Sequence, residues 1–155
     1  MKSRHLARSL AMQTLYSLDF SHQLYDEEGN SVYETLIGSE IPLAGISDEE
    51  ENQLEPDIRV YSGLLIQGTI ENLSEIDHLI EQYSNNRAID RITLVDRNIL
   101  RISFYSLLYC KDVHPHIVID EAVKLSQEFS SDRSYKFVNG VLDSYAREAL
   151  KDDRA

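Results

Sequence analysis

At 155 residues the chain fits one domain with a sizeable core, since domains run to roughly 100–200 residues. Its single cysteine, Cys110, excludes an internal disulfide and a thiol-paired zinc site, and no apolar run approaches the ~18 residues of a membrane span. With no apolar leader at the N-terminus either, the expectation is a cytoplasmic protein without membrane attachment.

The net charge of −12 argues against nucleic acid only until its distribution is read. No Lys or Arg occurs between Arg8 and Arg59, and that interval holds twelve acids, which is the whole excess. Elsewhere acids and bases balance, and the first eighteen residues contain no acid. A locally basic face is therefore available where phosphate contact would need it.

In chain order, Ser3 is the expected cap of a first helix, with Ala7, Leu10, Ala11, Leu15 and Leu18 recurring down one side. Arg4 and Arg8 then lie one turn apart on neighbouring surface. From Gly38 to Pro56 the composition shifts to Gly, Pro and Ser around Asp48-Glu49-Glu50-Glu51, which reads as a long acidic surface loop with room for a short helix. A loop of that length in a compact domain is either functional or mobile.

Asp57 restarts helical periodicity, and Ile66, Ile70, Leu73, Ile76, Ile80 and Tyr83 form one apolar stripe ended by Asn85-Asn86. Gly63 and Gly68 interrupt it at about 1 kcal/mol each relative to Ala, which in a continuous helix predicts close helix packing. Between Thr93 and Tyr109, Val95, Ile99, Ile102 and Tyr109 take one side and Leu100, Phe104, Leu107 and Leu108 another, so this is the expected buried central helix. Cys110 beside it reads as a small buried apolar group.

Pro115 suits the first turn of the next helix, whose core side is Val118, Ala122, Leu125 and Phe129. Ser134 is the expected cap of the last, which carries Phe137, Val138, Val141, Leu142 and Tyr145. Asn139-Gly140 would suggest a hairpin turn, but helical spacing on both sides overrides it. The expected fold is a single all-α domain, a bundle of six or seven helices over residues 1–155 with the acidic loop at 38–56.

Chemistry-bearing constellations are sparse. His114-Pro115-His116 has no third ligand at a recognisable spacing, so it reads as a loop entering a helix and not as a metal site. Asp120 and Glu121 point about 100° apart on a helix, which makes one exposed carboxylate and one in structural contact a better reading than an acid/base pair. Gly63, Gly68 and Gly140 lack phosphate-loop spacing. No catalytic residue, metal site or cofactor is predicted, and the chain is expected not to be an enzyme.

Four blocks in order carry a resemblance: Ala11-Met12-Gln13-Thr14-Leu15-Tyr16; Asp96-Arg97-Asn98-Ile99-Leu100-Arg101; His114-Pro115 with Ile119-Asp120-Glu121-Ala122-Val123; and Lys136-Phe137-Val138-Asn139-Gly140-Val141-Leu142-Asp143. Together they resemble the NusB antitermination-factor family, with residues 20 to 56 matching least. The resemblance implies an RNA-binding protein that pairs with the small-subunit ribosomal protein doubling as antitermination factor E. The pair would load onto single-stranded boxA RNA of ribosomal RNA operons and, through other Nus factors, hold RNA polymerase in a termination-resistant state.

It also implies RNA contact by Lys2, Arg4, His5, Arg8, His116, Arg133, Lys136, Phe137 and Asn139, and partner contact by Tyr16, Asp96 and Arg101. Plainer readings stand beside these: a solvated helix start for the basic cluster, core packing for Tyr16 and Phe137, dipole stabilisation for Asp96, an internal salt bridge for Arg101. Two arginines stand at the N-terminus where typical members carry three or four. His116-Ile117 replaces an aromatic and a Lys, and Arg133 replaces an acid, so the RNA face is reshaped.

The alternative is a scaffold of the same fold without useful RNA affinity, its acidic 19–57 segment repelling phosphate or covering the basic face. The related RNA-binding domain of rRNA methyltransferases ranks last, because the chain is too short for the catalytic part. Self-association as a homodimer is left open by the resemblance.

Overall fold

The computed structural model describes residues 2–31 and 41–150, without the side chains of Lys2 and Ser3. The chain divides into two compact units, one up to Ser74 and one from Glu75 on. Among the described residues there are seven α-helices and one isolated bridge, between Tyr25 and Ser31, so the fold is all-α as expected.

The first unit holds α1 (Lys2–Phe20), α2 (Asp48–Asn52), α3 (Pro56–Glu71) and the first two residues of α4 (Leu73–Tyr83). α1 packs on α3, and the expected stripe of Ala7, Leu10, Ala11 and Leu15 is buried with Ile58, Leu65, Ile66 and Ile70 of α3. Ser3 is not the cap of α1, because the helix already runs from Lys2. Pro56 opens α3, where its missing N–H costs nothing.

The stripe read from Asp57 to Tyr83 is not one helix but two. Asn72 breaks it: its carboxamide donates to the Gly68 carbonyl at 2.8 Å while its own N–H bonds Gly68 and Thr69, so the side chain closes the helix end. Leu73 then restarts the helix and is fully buried, which is why the apolar periodicity runs through the break. Gly63 does not mark close packing either, since a Cβ there would meet nothing within 4 Å.

The second unit holds the rest of α4, a 3₁₀ turn at Ile89–Arg91, α5 (Leu94–Tyr109), α6 (Pro115–Phe129) and α7 (Ser134–Ala149). α5 packs against both α6 and α7, which also pack on each other. It is buried almost throughout, and its polar residues bond back one turn: Asn98 to Leu94, Ser103 to Ile99, Ser106 to Ile102. Tyr109 departs from the expected core side. It is 49% exposed and its hydroxyl donates to Glu75 at 2.6 Å.

An aromatic cluster joins three helices, with Tyr145 of α7 edge-on to both Tyr83 of α4 and Phe104 of α5 at 5.3 and 5.1 Å. Pro115 opens α6 as expected, and His114 caps it, Nδ1 accepting from the His116 N–H at 3.1 Å. The expected cap of α7 shifts by one: Ser134 is already helical, and Arg133 occupies the cap position without a side-chain bond. Cys110 is buried at the end of α5.

Candidate nucleic-acid interface

In the first unit the structure brings the two N-terminal arginines onto one aromatic ring. The guanidinium carbons of Arg4 and Arg8 lie 4.6 and 5.6 Å from the Tyr61 ring centroid, and Arg8 Nη2 donates to the Tyr61 hydroxyl at 3.4 Å. Arg8 is 6% exposed, so it is not the surface side chain that its spacing predicts. Arg4 and His5 are half-buried, and Arg4 has no hydrogen bond or ion pair among the described residues. Lys2 starts the helix, but its side chain lies outside the described residues.

Further along α1, half-buried Tyr16 stacks on Phe20 with centroids 6.3 Å apart and planes 6° from parallel. Phe20 is 65% exposed, so the pair forms an aromatic patch on the outside of the helix.

The described part of the acidic segment is tied to this unit. Leu43 and Ile46 pack on the Ala7, Leu10, Ile58 cluster, and the Ala44 N–H donates to Thr14 Oγ1 at 2.9 Å. Gly45 adopts φ +90°, and a Cβ there would stand 2.6 Å from Gln13 Oε1. Ser47 and Glu50 form a reciprocal capping box on α2, and the hydrogen bond from the Ser47 backbone holds the Glu50 carboxyl below the usual carboxylate range. Glu51 accepts from the Leu43 N–H at 2.7 Å and lies 3.4 Å from Arg59 of α3, so it ties the segment both to itself and to that helix. The start of the loop at Gly38 lies outside the described residues.

In the second unit Arg133 at the cap and Lys136 and Asn139 on the first turns of α7 are exposed, and Phe137 is half-buried. The guanidinium of Arg87, which follows the positive-φ pair Asn85 and Asn86, sits 4.8 Å over the Phe137 ring. His116 is exposed and stacks on His114 at 5.1 Å, 7° from parallel. Among the described residues no group of three or more His, Cys, Asp or Glu could hold a metal ion.

Asp96 and Arg101 are buried on α5. Asp96 sits in the first turn, its N–H bonded to the Thr93 cap, and its Oδ1 accepts from Ser130 Oγ at 2.9 Å. Arg101 makes a two-pronged bond to Asp77, with Nε to Oδ1 at 2.8 Å and Nη2 to Oδ2 at 2.9 Å, and its Nη1 donates to Asn98. Asp120 is exposed while Glu121 is buried, with Lys124 at 3.6 Å, the division expected for adjacent helical carboxylates.

Three residues outside the sequence-based candidates therefore belong to these arrangements: Tyr61, Arg87 and Asp77. Only Asp77 had a signal, since a buried arginine demands an acid, but the demand does not say which one. Each unit by itself thus holds a cation on an aromatic ring, and Arg4, with no hydrogen bond or ion pair among the described residues, keeps donors suited to an anionic ligand.

Known proteins share this plan. A sequence model of the NusB family matches residues 5–147. The transcription antitermination protein NusB of Treponema denticola is 40% identical over 142 residues, 91% of this chain and 93% of that protein. Its namesake from Leptospira biflexa serovar Patoc is 34% identical over 150 residues, 97% and 96% of the two chains. Among solved structures, T. maritima NusB matches with a TM-score of 0.75 and 31% identity over 97% of this chain and 95% of that one. A chain in the crystal structure of antitermination factors NusB and NusE in complex with dsRNA matches with a TM-score of 0.72 and 28% identity, over 96% and 98%. With the family pattern running almost end to end and relatives of this identity covering nearly the whole chain, the protein belongs to the NusB family, whose matched relatives are transcription antitermination proteins.

Proposed function

We propose that the chain binds single-stranded boxA RNA of ribosomal RNA operons together with the small-subunit ribosomal protein that acts as antitermination factor E. Through that partner and other Nus factors it keeps RNA polymerase resistant to termination, as a cytoplasmic, non-enzymatic factor. The observation that carries this reading is the Arg4 and Arg8 pair gathered on Tyr61 at the acid-free end of α1. Family membership supports it, as does the solved structure of antitermination factors NusB and NusE in complex with dsRNA, a chain of which this one resembles. Lys136 and Arg133 supply phosphate contact, Phe137 and His116 stacking, and Asn139 a polar contact to a base edge. Tyr16, Asp96 and Arg101 serve the protein partner, the last two from within α5 by fixing its shape.

The burial of Arg8 favours a second reading, a scaffold of the same fold with little RNA affinity of its own. Fluorescence anisotropy with a boxA-like RNA and a scrambled control, each with and without the ribosomal partner, decides between them. Tighter boxA binding that the partner enhances and Arg4→Ala/Arg8→Ala weakens is the expected result. Partner binding with no boxA preference under any condition leaves the scaffold.

A further inference from the structure

Arg4 and Arg8 are four residues apart on one helix, where two like charges repel. Their guanidiniums nonetheless come to the same ring, at 4.6 and 5.6 Å from its centroid. The ring can hold them because its negative π face attracts cations and its hydroxyl accepts from Arg8. It is itself fixed: Tyr61 packs on the Ala7, Leu10, Ile58 cluster, on a helix whose neighbouring Ser62 is fully buried.

The two cations are held differently. Arg8 is 6% exposed and bonded to the hydroxyl, so it serves as a fixed positive charge beneath the surface. Arg4 is half-buried and has no hydrogen bond or ion pair among the described residues, so its N–H donors remain for a ligand while the ring limits its rotamers. A long arginine that is ordered beforehand loses less side-chain freedom on binding. A planar guanidinium also suits phosphate oxygens better than a point charge does.

We propose that Tyr61 is a positioning residue for RNA phosphate, holding Arg4 ready over its ring with Arg8 behind it. The inference rests on the RNA-binding reading above. Tyr61 itself touches no RNA in this scheme.

The test uses the full chain and the same labelled boxA-like RNA, titrated at several salt concentrations between about 50 and 200 mM. Tyr61→Phe keeps the ring and should bind within about twofold of the parent. Tyr61→Leu should weaken binding about three- to tenfold and reduce the salt slope by about 1, the signature of one lost phosphate contact. Arg4→Ala should then add nothing in the Tyr61→Leu background, because the two act as a unit.

An independent readout is the ring-current shift of the Arg4 side-chain protons, present in the parent and in Tyr61→Phe and absent in Tyr61→Leu. Thermal unfolding checks that the variants fold, and Tyr61→Met, which fills the same space flexibly, repeats the test if leucine unfolds the chain. Parent RNA binding with Tyr61→Leu unchanged in affinity and slope, or additive effects of Tyr61→Leu and Arg4→Ala, overturns the positioning role alone. Failure of the parent to bind RNA with or without partner overturns the RNA reading and this inference together.

Discussion

A single buried arginine shows how a family pattern and a folding requirement coincide. Arg101 is 2% exposed, and Asp77, 6% exposed, meets it with both carboxylate oxygens. Neither charge tolerates burial alone, so removing one partner costs far more than the pair contributes over an apolar replacement. Asp77→Ala should lower stability by about 3–5 kcal/mol in urea denaturation, and the joint Asp77→Leu/Arg101→Met change should recover most of that loss. A double variant as unstable as the single one would mean that Arg101 has a further indispensable contact. Binding of the ribosomal partner by the double variant would also separate a role in holding α5 from one in partner contact.

At the scale of the element, the acidic segment is built as a docked strap and not as a bare charge run. Its described part is anchored at Thr14 of α1, passes Gln13 at Gly45 with no room for a Cβ, and α2 is closed by the Ser47 and Glu50 capping box. Because the Glu50 carboxyl is held below its ordinary value of 4.5, its contribution is present above that pH and is lost as pH falls through the lowered value. Ser47→Ala removes the side-chain half of the box while leaving the backbone N–H. NMR titration of the Glu50 carboxyl should therefore move part of the way back up, and α2 should lose about 1 kcal/mol of local stability in amide exchange.

The opposite sign governs Tyr83 and Tyr145, whose hydroxyls are pushed above the tyrosine range of 10.0 by burial first, then by Glu148 and by Tyr83 respectively. Their stabilisation is complete below pH 10 and is lost as pH rises through the raised values, so an alkaline absorbance titration should show tyrosines ionising above 10.0, and urea denaturation should show stability falling over the same range.

For the whole molecule, much was legible in the sequence: the all-α class, the buried α5, the proline entry to α6 and the basic N-terminal helix. What was not legible depends on contacts across helices. The apolar stripe passes through Asn72 without a sign of the break, because Leu73 continues the same face. Nothing near Arg101 points to Asp77, 24 residues away, and Tyr61 becomes a seat for two arginines only once α1 lies on α3. Net charge is the whole-molecule property that bears most on function, because −12 opposes the approach of any nucleic acid.

The opposition should be strongest within the first unit, where exposed Glu27, Glu28, Asp48 and Glu49 share a unit with the arginine pair. Their side chains can be neutralised without touching the capping box or the Glu51 contacts. Glu27→Gln/Glu28→Gln/Asp48→Asn/Glu49→Gln should raise boxA affinity several-fold at ~0.01 M salt, where the Debye length is about 30 Å. The gain should vanish near ~1 M, where that length is about 3 Å and only direct contacts survive. A gain that persisted at high salt would mean that these acids occupy the RNA site by contact and do not act through their field, the autoinhibited form of the scaffold reading.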